Sequence, residues 1–192
     1  LLPDLLAFDG NAQSLRLVHS LQRLNLTYSL LASLIKVPVG IMELQAEAAE
    51  QTARGSEKLG YFFSERHLVR QLRDTLGLPG RARFPLVYLM EAADDICYCI
   101  ADLEDAIDRG LLTLPELQRA LLAQAGDDPY LGTLLTLANG SLDGFFPCFR
   151  EQLTRDLVDV LASTYMAEEA NILAGQFASP LLGSQHPCVA VL

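Results

Sequence analysis

Two aspartates and a tyrosine, Asp94, Tyr98 and Asp102, are the residues of this 192-residue chain whose types and spacing could do chemistry. They stand four residues apart, so on a helix they form one line along one face. Glu91 and Asp105 extend this acidic side. Carboxylates at this spacing repel each other by about 0.2–0.5 kcal/mol per pair unless a positive charge lies among them.

Two interpretations of this acidic line are open. It is either a solvated surface of a helix, or a set of oxygen ligands and a ring arranged for a bound molecule. No lysine or arginine lies between Phe84 and Arg109 to relieve the repulsion. A divalent cation would relieve it, because hard cations take oxygen ligands. A tyrosine held between two aspartates also suits a sugar or another ring laid against it.

The sequence around these residues predicts one long helix, from Phe84 to Ile107. Pro85 suits the first turn, where its missing N–H is no loss, and Gly110 stands where a left-handed cap residue belongs. Apolar residues at helical spacing predict a buried stripe on a different side from the acidic line. The stripe comprises Leu86, Leu89, Met90, Ala93, Cys97, Ile100 and Ile107.

The rest of the chain also reads as helices, and no convincing alternating strand is present, so we expect an all-α fold. Asn11 is the expected N-cap of the first helix, and Thr27 that of the second. The expected helices cover residues 11–22, 28–35, 41–53, 64–76, 114–125, 129–139 and 149–173. Residues 1–175 are expected to form one domain, followed by an irregular tail over 176–192.

Composition limits the possible functions. Hydrophobic residues make up 51% of the chain, enough for a core, yet no run of about 20 apolar residues could span a membrane. A net charge of −10 opposes non-specific nucleic-acid binding. Any phosphate site must therefore be local, which draws attention to the only two lysines, Lys36 and Lys58. The four cysteines fit neither a zinc spacing nor a disulfide framework, so we expect a cytoplasmic protein.

Four blocks of the sequence resemble the deoxyguanosinetriphosphate triphosphohydrolases, which are metal-dependent phosphohydrolases of the HD superfamily. The signature helix of that family resembles Leu86-Val-Tyr-Leu-Met-Glu-Ala-Ala-Asp-Asp-Ile-Cys-Tyr-Cys-Ile-Ala-Asp-Leu-Glu-Asp105. Its Phe-Glu-Gly-Asn-Ala-Gln segment resembles Phe8-Asp-Gly-Asn-Ala-Gln-Ser-Leu-Arg-Leu-Val18. The two further blocks are Leu24-Asn-Leu-Thr-Tyr-Ser-Leu-Leu-Ala-Ser-Leu-Ile-Lys36 and Lys58-Leu-Gly-Tyr-Phe-Phe-Ser-Glu65. The blocks occur in the family's order and span roughly the first hundred residues.

The resemblance implies an HD-type multi-helix bundle with a metal centre. Asp94 would be the last protein ligand of a divalent cation, Mg²⁺ or Mn²⁺, whose other ligands are a histidine and a His-Asp dyad. None of the three histidines, His19, His67 and His186, is followed by aspartate. We therefore expect the dyad upstream of Leu1, in a longer gene product. The domain in this chain would then be incomplete, and the chain alone inactive.

The resemblance also implies roles around a deoxynucleoside triphosphate, with dGTP the favoured substrate and the deoxynucleoside and triphosphate as products. Tyr98 would pack against the sugar and disfavour a 2′-hydroxyl, and Asp102 would accept a hydrogen bond from the 3′-hydroxyl. Lys36 and Lys58 are the candidates for the triphosphate. After Lys36 this chain has Val37-Pro-Val39, where the family commonly has Tyr-Pro-Trp, so the local path there differs.

Three further residues of the second block are candidate substrate contacts. Arg16 would either help to bind phosphate or pair with an acid. Asn11 and Gln13 would orient the substrate, although helix capping accounts for Asn11 equally well. The resemblance further implies a homo-oligomer. The alternative function is a catalytically inactive helical module of the same fold, with a regulatory or interaction role.

Overall fold

The computed structural model describes residues 4–5, 8–44, 58–125, 128–183 and 189. In these residues the chain is helical and forms no strand, and one isolated bridge pairs Gly40 with Tyr61. The predicted all-α fold is confirmed. The helices are α1 Gly10–Leu15 with a π-helical continuation Arg16–Leu21, α2 Tyr28–Ser33, α3 Arg66–Leu76 preceded by the 3₁₀ turn Phe63–Glu65, α4 Pro85–Asp108, α5 Leu114–Ala125, α6 Pro129–Asn139 and α7 Phe145–Leu173.

The chain divides into two compact units. We call Leu1–Met90 with Ala170–Phe177 the first unit, and Glu91–Glu169 with Ala178–Leu192 the second. No described helix combines the length and apolar character needed to cross a bilayer. The division at residue 175 into one domain and a tail stays a prediction.

The start of α1 corrects one prediction. Asp9, not Asn11, is the N-cap, and its side chain accepts a hydrogen bond from the Asn11 backbone N–H at 2.8 Å. An N-cap carboxylate accepts from the second or third helical N–H, and with Asp9 at the cap, Asn11 is the second helical residue. Both residues are good caps, so residue type alone did not decide between them.

The helices of the first unit are held together by two apolar clusters. One joins α1, α2 and α3 through Leu15, Leu31, Ile35, Val69 and Leu72. The other joins α1 to the segment before α3 through Ala12, Ile41, Leu59 and Phe62. Each fully buried side chain of this kind contributes about 1.5–3 kcal/mol relative to an exposed one. The second and fourth sequence blocks are therefore packed together in the first unit.

Helix ends follow the predicted signals in most places. Thr27 caps α2 and Asp128 caps α6. Thr113 donates to Glu116 from both its N–H and its hydroxyl. The predicted helix over 41–53 has its first four residues helical, and residues 45–53 lie outside the described residues. The helix expected from residue 64 begins with a 3₁₀ turn, and α7 begins four residues before residue 149, because Pro147 fits a first helical turn.

Helix α4 has nearly the predicted bounds, but its buried side differs from the prediction. Gly110 follows it with a φ of +67°, as expected. The buried residues are Val87, Tyr88, Ala92, Ile96 and Ile100. Of the predicted stripe only Ile100 is among them.

Several members of the predicted stripe are exposed. Leu86 is 44% exposed, and Ala93 and Cys97 are exposed as well. Apolar residues occupy most of the circumference of α4, so hydropathy alone did not determine which side packs against the rest of the chain.

The second unit buries leucines from α5 and α6 and large side chains from α7, among them Phe149, Leu153 and Leu157. Polar bonds join its helices in series. Gln118 of α5 donates to Asn139 of α6 at 2.9 Å, and the Tyr130 hydroxyl of α6 donates to Asp156 of α7 at 2.7 Å. Arg150 of α7 pairs with Glu104 of α4. The Arg150–Glu104 pair links α7 to α4 within this unit.

Candidate functional site

The acidic line on α4 lies away from the buried side of the helix. Asp94 is partly buried, Asp102 is exposed and Tyr98 is 64% exposed. Buried Tyr88, Ala92, Ile96 and Ile100 lie on another side of the helix, whereas buried Val87 lies on the same side as Asp94, seven residues before it. An exposed phenol ring one turn from each aspartate is free of the packing that holds Tyr88 inside the first unit.

The charges around this line leave a negative potential on α4. Burial raises the pKa of the Cys99 thiol, and the carboxylates of Asp102 and Asp95 raise it further. Arg109 pairs with Asp105 at 3.4 Å, but both side chains are mostly exposed, so the pair contributes little. This potential favours a bound cation or a hydrogen-bond donor such as a sugar hydroxyl.

The described residues do not form a metal site by themselves. Within them no group of three histidine, cysteine, aspartate or glutamate side chains comes together as a metal would require. Asp94 could supply one oxygen ligand, whereas divalent cations bind through several ligands. His19 and His67 are exposed, and His186 lies outside the described residues. A cation on Asp94 would need ligands from elsewhere.

In the first unit, Asp9 ties two of the predicted substrate-binding blocks together. Its Oδ1 accepts from both the backbone N–H and the side-chain amide of Asn11, at 2.8 and 2.9 Å. Its Oδ2 accepts from the backbone N–H of Leu59 at 3.1 Å. One carboxylate therefore positions Asn11 and the residue that follows Lys58.

Gly60 brings the segments that carry the two lysines into close contact. Its N–H donates to the carbonyl of Val39 at 2.9 Å. A Cβ on Gly60 would stand 1.5 Å from the carbonyl oxygen of Val37, the residue after Lys36. The chain after Lys36 and the chain after Lys58 are thus packed backbone to backbone, and only glycine fits between them.

Replacing Gly60 by alanine is expected to destabilise the protein by roughly 1–3 kcal/mol, because the new methyl group displaces the Val37 carbonyl. Urea unfolding followed by circular dichroism measures the loss. Gly10→Ala is the matched control in the same unit, since a Cβ there meets nothing within 4 Å. Equal stability of the two variants would show that the Val37–Gly60 contact is not tight.

Arg16 is held by two carboxylates of this chain. Its Nη2 pairs with Asp4 at 2.8 Å and with Glu65 at 3.0 Å, and its Nε donates to Glu65 at 3.1 Å. The guanidinium lies 4.1 Å from the Phe62 ring centroid. Hydrogen bonding to Glu65 raises the pKa of Arg16. The sequence allowed Arg16 either to bind phosphate or to pair with an acid. The structure shows the pairing with acids, and a phosphate contact of Arg16 stays a prediction.

Asp4 and Glu65 are buried partners of this pair, with side chains 2% and 5% exposed. Burial alone would raise the pKa of Asp4. Hydrogen bonds from Ser64, Arg16 and the backbone N–H of Phe63 outweigh the effect of burial, so the pKa of Asp4 is lowered. Asp4 therefore stays charged at neutral pH, and Asp4 and Glu65 together hold Arg16 of the π-helical segment against the start of α3.

The structure places the eight predicted residues in two groups. The first unit contains Asn11, Gln13, Arg16, Lys36 and Lys58, and the second contains Asp94, Tyr98 and Asp102. Gln13 and Lys36 are partly buried and Lys58 is exposed. Sequence reasoning missed Asp9, Gly60 and Glu65, which position the first group. Only the turn-forming Asp9-Gly10 pair and Gly60, two residues after Lys58, gave any local signal of them.

The described residues thus form an all-helical structure in which the 24-residue helix α4 carries Asp94, Tyr98 and Asp102. No protein-family profile matches it. It is 35% identical, over 93% of its length, to the deoxyguanosinetriphosphate triphosphohydrolase of Enterobacter sp. (strain 638). The predicted resemblance to the deoxyguanosinetriphosphate triphosphohydrolases is therefore confirmed. The chain spans 38% of the length of that relative.

Proposed function

We propose that the complete protein hydrolyses a deoxynucleoside triphosphate, with dGTP the favoured substrate, to the deoxynucleoside and triphosphate. The observation that carries this proposal is the 35% identity over 93% of the chain to a protein of that name. We also expect the complete protein to form a homo-oligomer.

In the second unit, the acidic line on α4 would run along the substrate. Successive steps of four residues rise about 6 Å along a helix, so Asp94, Tyr98 and Asp102 suit groups that follow one another in a nucleotide. The exposed ring of Tyr98 packs against the deoxyribose. The exposed carboxylate of Asp102 accepts a hydrogen bond from the 3′-hydroxyl. Asp94 is one ligand of a divalent cation, Mg²⁺ or Mn²⁺, whose other ligands lie outside the described residues.

In the first unit, Lys36 and Lys58 would bind the triphosphate, and Asn11 and Gln13 would orient the substrate. The backbone supports this assignment. Asp9 holds Asn11 and Leu59 together, and the Val37–Gly60 contact holds the chain beside both lysines. The two lysines would provide local positive charge in a chain of net charge −10.

Incubating the complete protein with dGTP and Mn²⁺ or Mg²⁺ is expected to release deoxyguanosine and triphosphate in equal amounts. Ion chromatography of the phosphate products and reverse-phase separation of the nucleosides measure both. The 192-residue chain alone is the control and is expected to be inactive, because its described residues assemble no group of metal ligands. Release of pyrophosphate or orthophosphate would place the cleavage at a different bond and contradict the proposal.

The same observation about metal ligands favours the alternative, a helical module without catalytic activity. The two proposals predict different results for the complete protein. A protein that binds dGTP but releases no product with either cation would be the inactive module.

A further inference from the structure

A cavity of about 530 Å³ lies in the first unit beside α3. Arg66, Arg70 and Arg73 of α3 line it, together with Arg81 and the aromatic residues Tyr61 and Phe63. Pockets for small molecules typically measure about 300–1,000 Å³. None of the eight residues predicted to bind the nucleotide or its metal lines this cavity.

The three arginines of α3 share one side of the helix. They stand at positions i, i+4 and i+7, where side chains of a helix are neighbours. Like charges at this spacing destabilise a helix unless an anion lies among them. The cavity gathers four of the fourteen basic side chains of a chain whose net charge is −10. Such a concentration of positive charge is local and specific to this cavity.

Backbone carbonyls hold two of these arginines in place. Arg66 donates from Nη1 to the Phe63 carbonyl at 2.8 Å, and its guanidinium lies 3.7 Å from the Phe63 ring centroid. Arg73 donates to the carbonyls of Ala82, at 3.1 Å, and Gly80. A carbonyl fixes the guanidinium without cancelling its charge. Both arginines are therefore preorganised cations.

Among the described residues two acids, Glu43 and Asp74, line the cavity together with the three arginines of α3. The Glu43 carboxylate accepts from the Gly40 backbone N–H at 3.0 Å and from the Tyr61 hydroxyl at 3.3 Å. Burial, with Glu43 adding to it, raises the pKa of Tyr61 to about 12, so the hydroxyl remains a donor to Glu43 at neutral pH.

We infer that this cavity binds a small anion with two or three linked phosphate groups. Guanidinium groups match phosphate oxygens with paired hydrogen bonds and are the preferred side chains for phosphate recognition. Arg66 and Arg73 lie about 10 Å apart along the helix axis, a span that suits linked phosphates better than a single one. The phosphates come either from an inorganic polyphosphate or from the tail of a free nucleotide. The inference does not depend on the proposed hydrolysis.

Calorimetric titration of the complete protein with inorganic triphosphate, in EDTA so that no metal contributes, tests this inference. Arg70→Gln is the first variant, because the Arg70 side chain is exposed and its loss should leave α3 folded. Binding is expected to weaken about ten-fold, the effect of losing one hydrogen bond to a charged group. The double variant Arg66→Gln/Arg70→Gln is expected to weaken it further.

Two control variants test whether triphosphate binds in the cavity or at basic side chains elsewhere. Arg119→Gln removes an exposed arginine of α5 and is expected to leave binding unchanged. Lys58→Gln removes a predicted triphosphate contact outside the cavity. If Lys58→Gln abolishes triphosphate binding while Arg70→Gln binds as the wild type does, the anion lies elsewhere and the inference is overturned.

Two further titrations identify the source of the phosphates. Tighter binding of metal-free dGTP than of triphosphate, with the same dependence on Arg70, identifies a nucleotide tail. Equal or weaker binding of dGTP identifies an inorganic polyphosphate. Either result supports the inference that the cavity binds linked phosphates. A single-stranded oligonucleotide that binds in an Arg70-dependent manner, while triphosphate does not bind, would assign the arginines to a nucleic-acid backbone and overturn the inference.

Discussion

Asp94→Ala in the complete protein is expected to abolish triphosphate release from dGTP and to weaken binding of Mn²⁺ or Mg²⁺. The proposed reason is the loss of a cation ligand. Asp94 is partly buried on α4 and is the first residue of the line Asp94, Tyr98 and Asp102. Turnover with saturating dGTP and calorimetric titration with the cation measure the two effects. Helix content by circular dichroism should stay the same, because alanine is the best helix former.

Asp95→Ala is the matched control for this prediction. Asp95 is the adjacent acid on the same helix, is exposed, and points about 100° away from Asp94 around the helix axis. Its loss removes the same charge from α4 and is expected to leave turnover nearly unchanged. If both variants lose activity equally, the effect comes from the general negative potential of α4. If Asp94→Ala keeps full activity, Asp94 does not bind the cation.

Local signals in the sequence were enough to predict where the helices begin and end. Pro85 and Gly110 bracket α4, and Thr113 with Glu116 opens α5, because each residue acts through its own backbone neighbours. The exception at α1 involves a long-range bond. Asp9 and Asn11 both suit an N-cap. Asp9 takes that position, and its side chain also accepts a hydrogen bond from the backbone N–H of Leu59.

The buried side of α4 was not predictable in the same way. Val87, Ala92 and Ile96 are buried where Leu86 and Cys97 were expected. Buried Tyr88, Ala92, Ile96 and Ile100 follow helical spacing as well as the predicted stripe does, and Val87 lies on a third side. The choice depends on the surfaces that α4 meets, and those come from distant parts of the chain. A helix with a clear polar side and a clear apolar side would not have shown this ambiguity.

The same difference between local and long-range information applies to the candidate site. Residue type, spacing and composition singled out Asp94, Tyr98, Asp102 and the two lysines, and their proposed roles came from the resemblance, which compares short blocks. The bonds that position the first-unit residues join positions far apart in sequence. Asp9 and Leu59 are 50 residues apart, and Arg16 and Glu65 are 49 apart. No spacing rule relates such pairs, so the supporting residues became visible only in the folded chain.

Asp102→Ala in the complete protein is expected to lower kcat/KM for dGTP about ten- to a hundred-fold. Losing a hydrogen bond to a charged group costs about 1.5–3 kcal/mol, and the proposed bond joins the Asp102 carboxylate to the 3′-hydroxyl. The 3′-deoxy analogue of dGTP lacks that hydroxyl, so its kcat/KM should change little on the same substitution. Steady-state kinetics with both substrates on both proteins give the four values needed.

Tyr98→Ala distinguishes sugar packing from a general effect of altering the exposed side of α4. Its ring is 64% exposed and is proposed to fill the space beside C2′. Removing it should raise the kcat/KM of GTP relative to dGTP, whereas Asp102→Ala should leave that ratio near its wild-type value. The decisive comparison is the 3′-deoxy analogue. If Asp102→Ala penalises it as strongly as dGTP, the carboxylate does not bind the 3′-hydroxyl, and Asp102 is a solvated acid on the surface of α4.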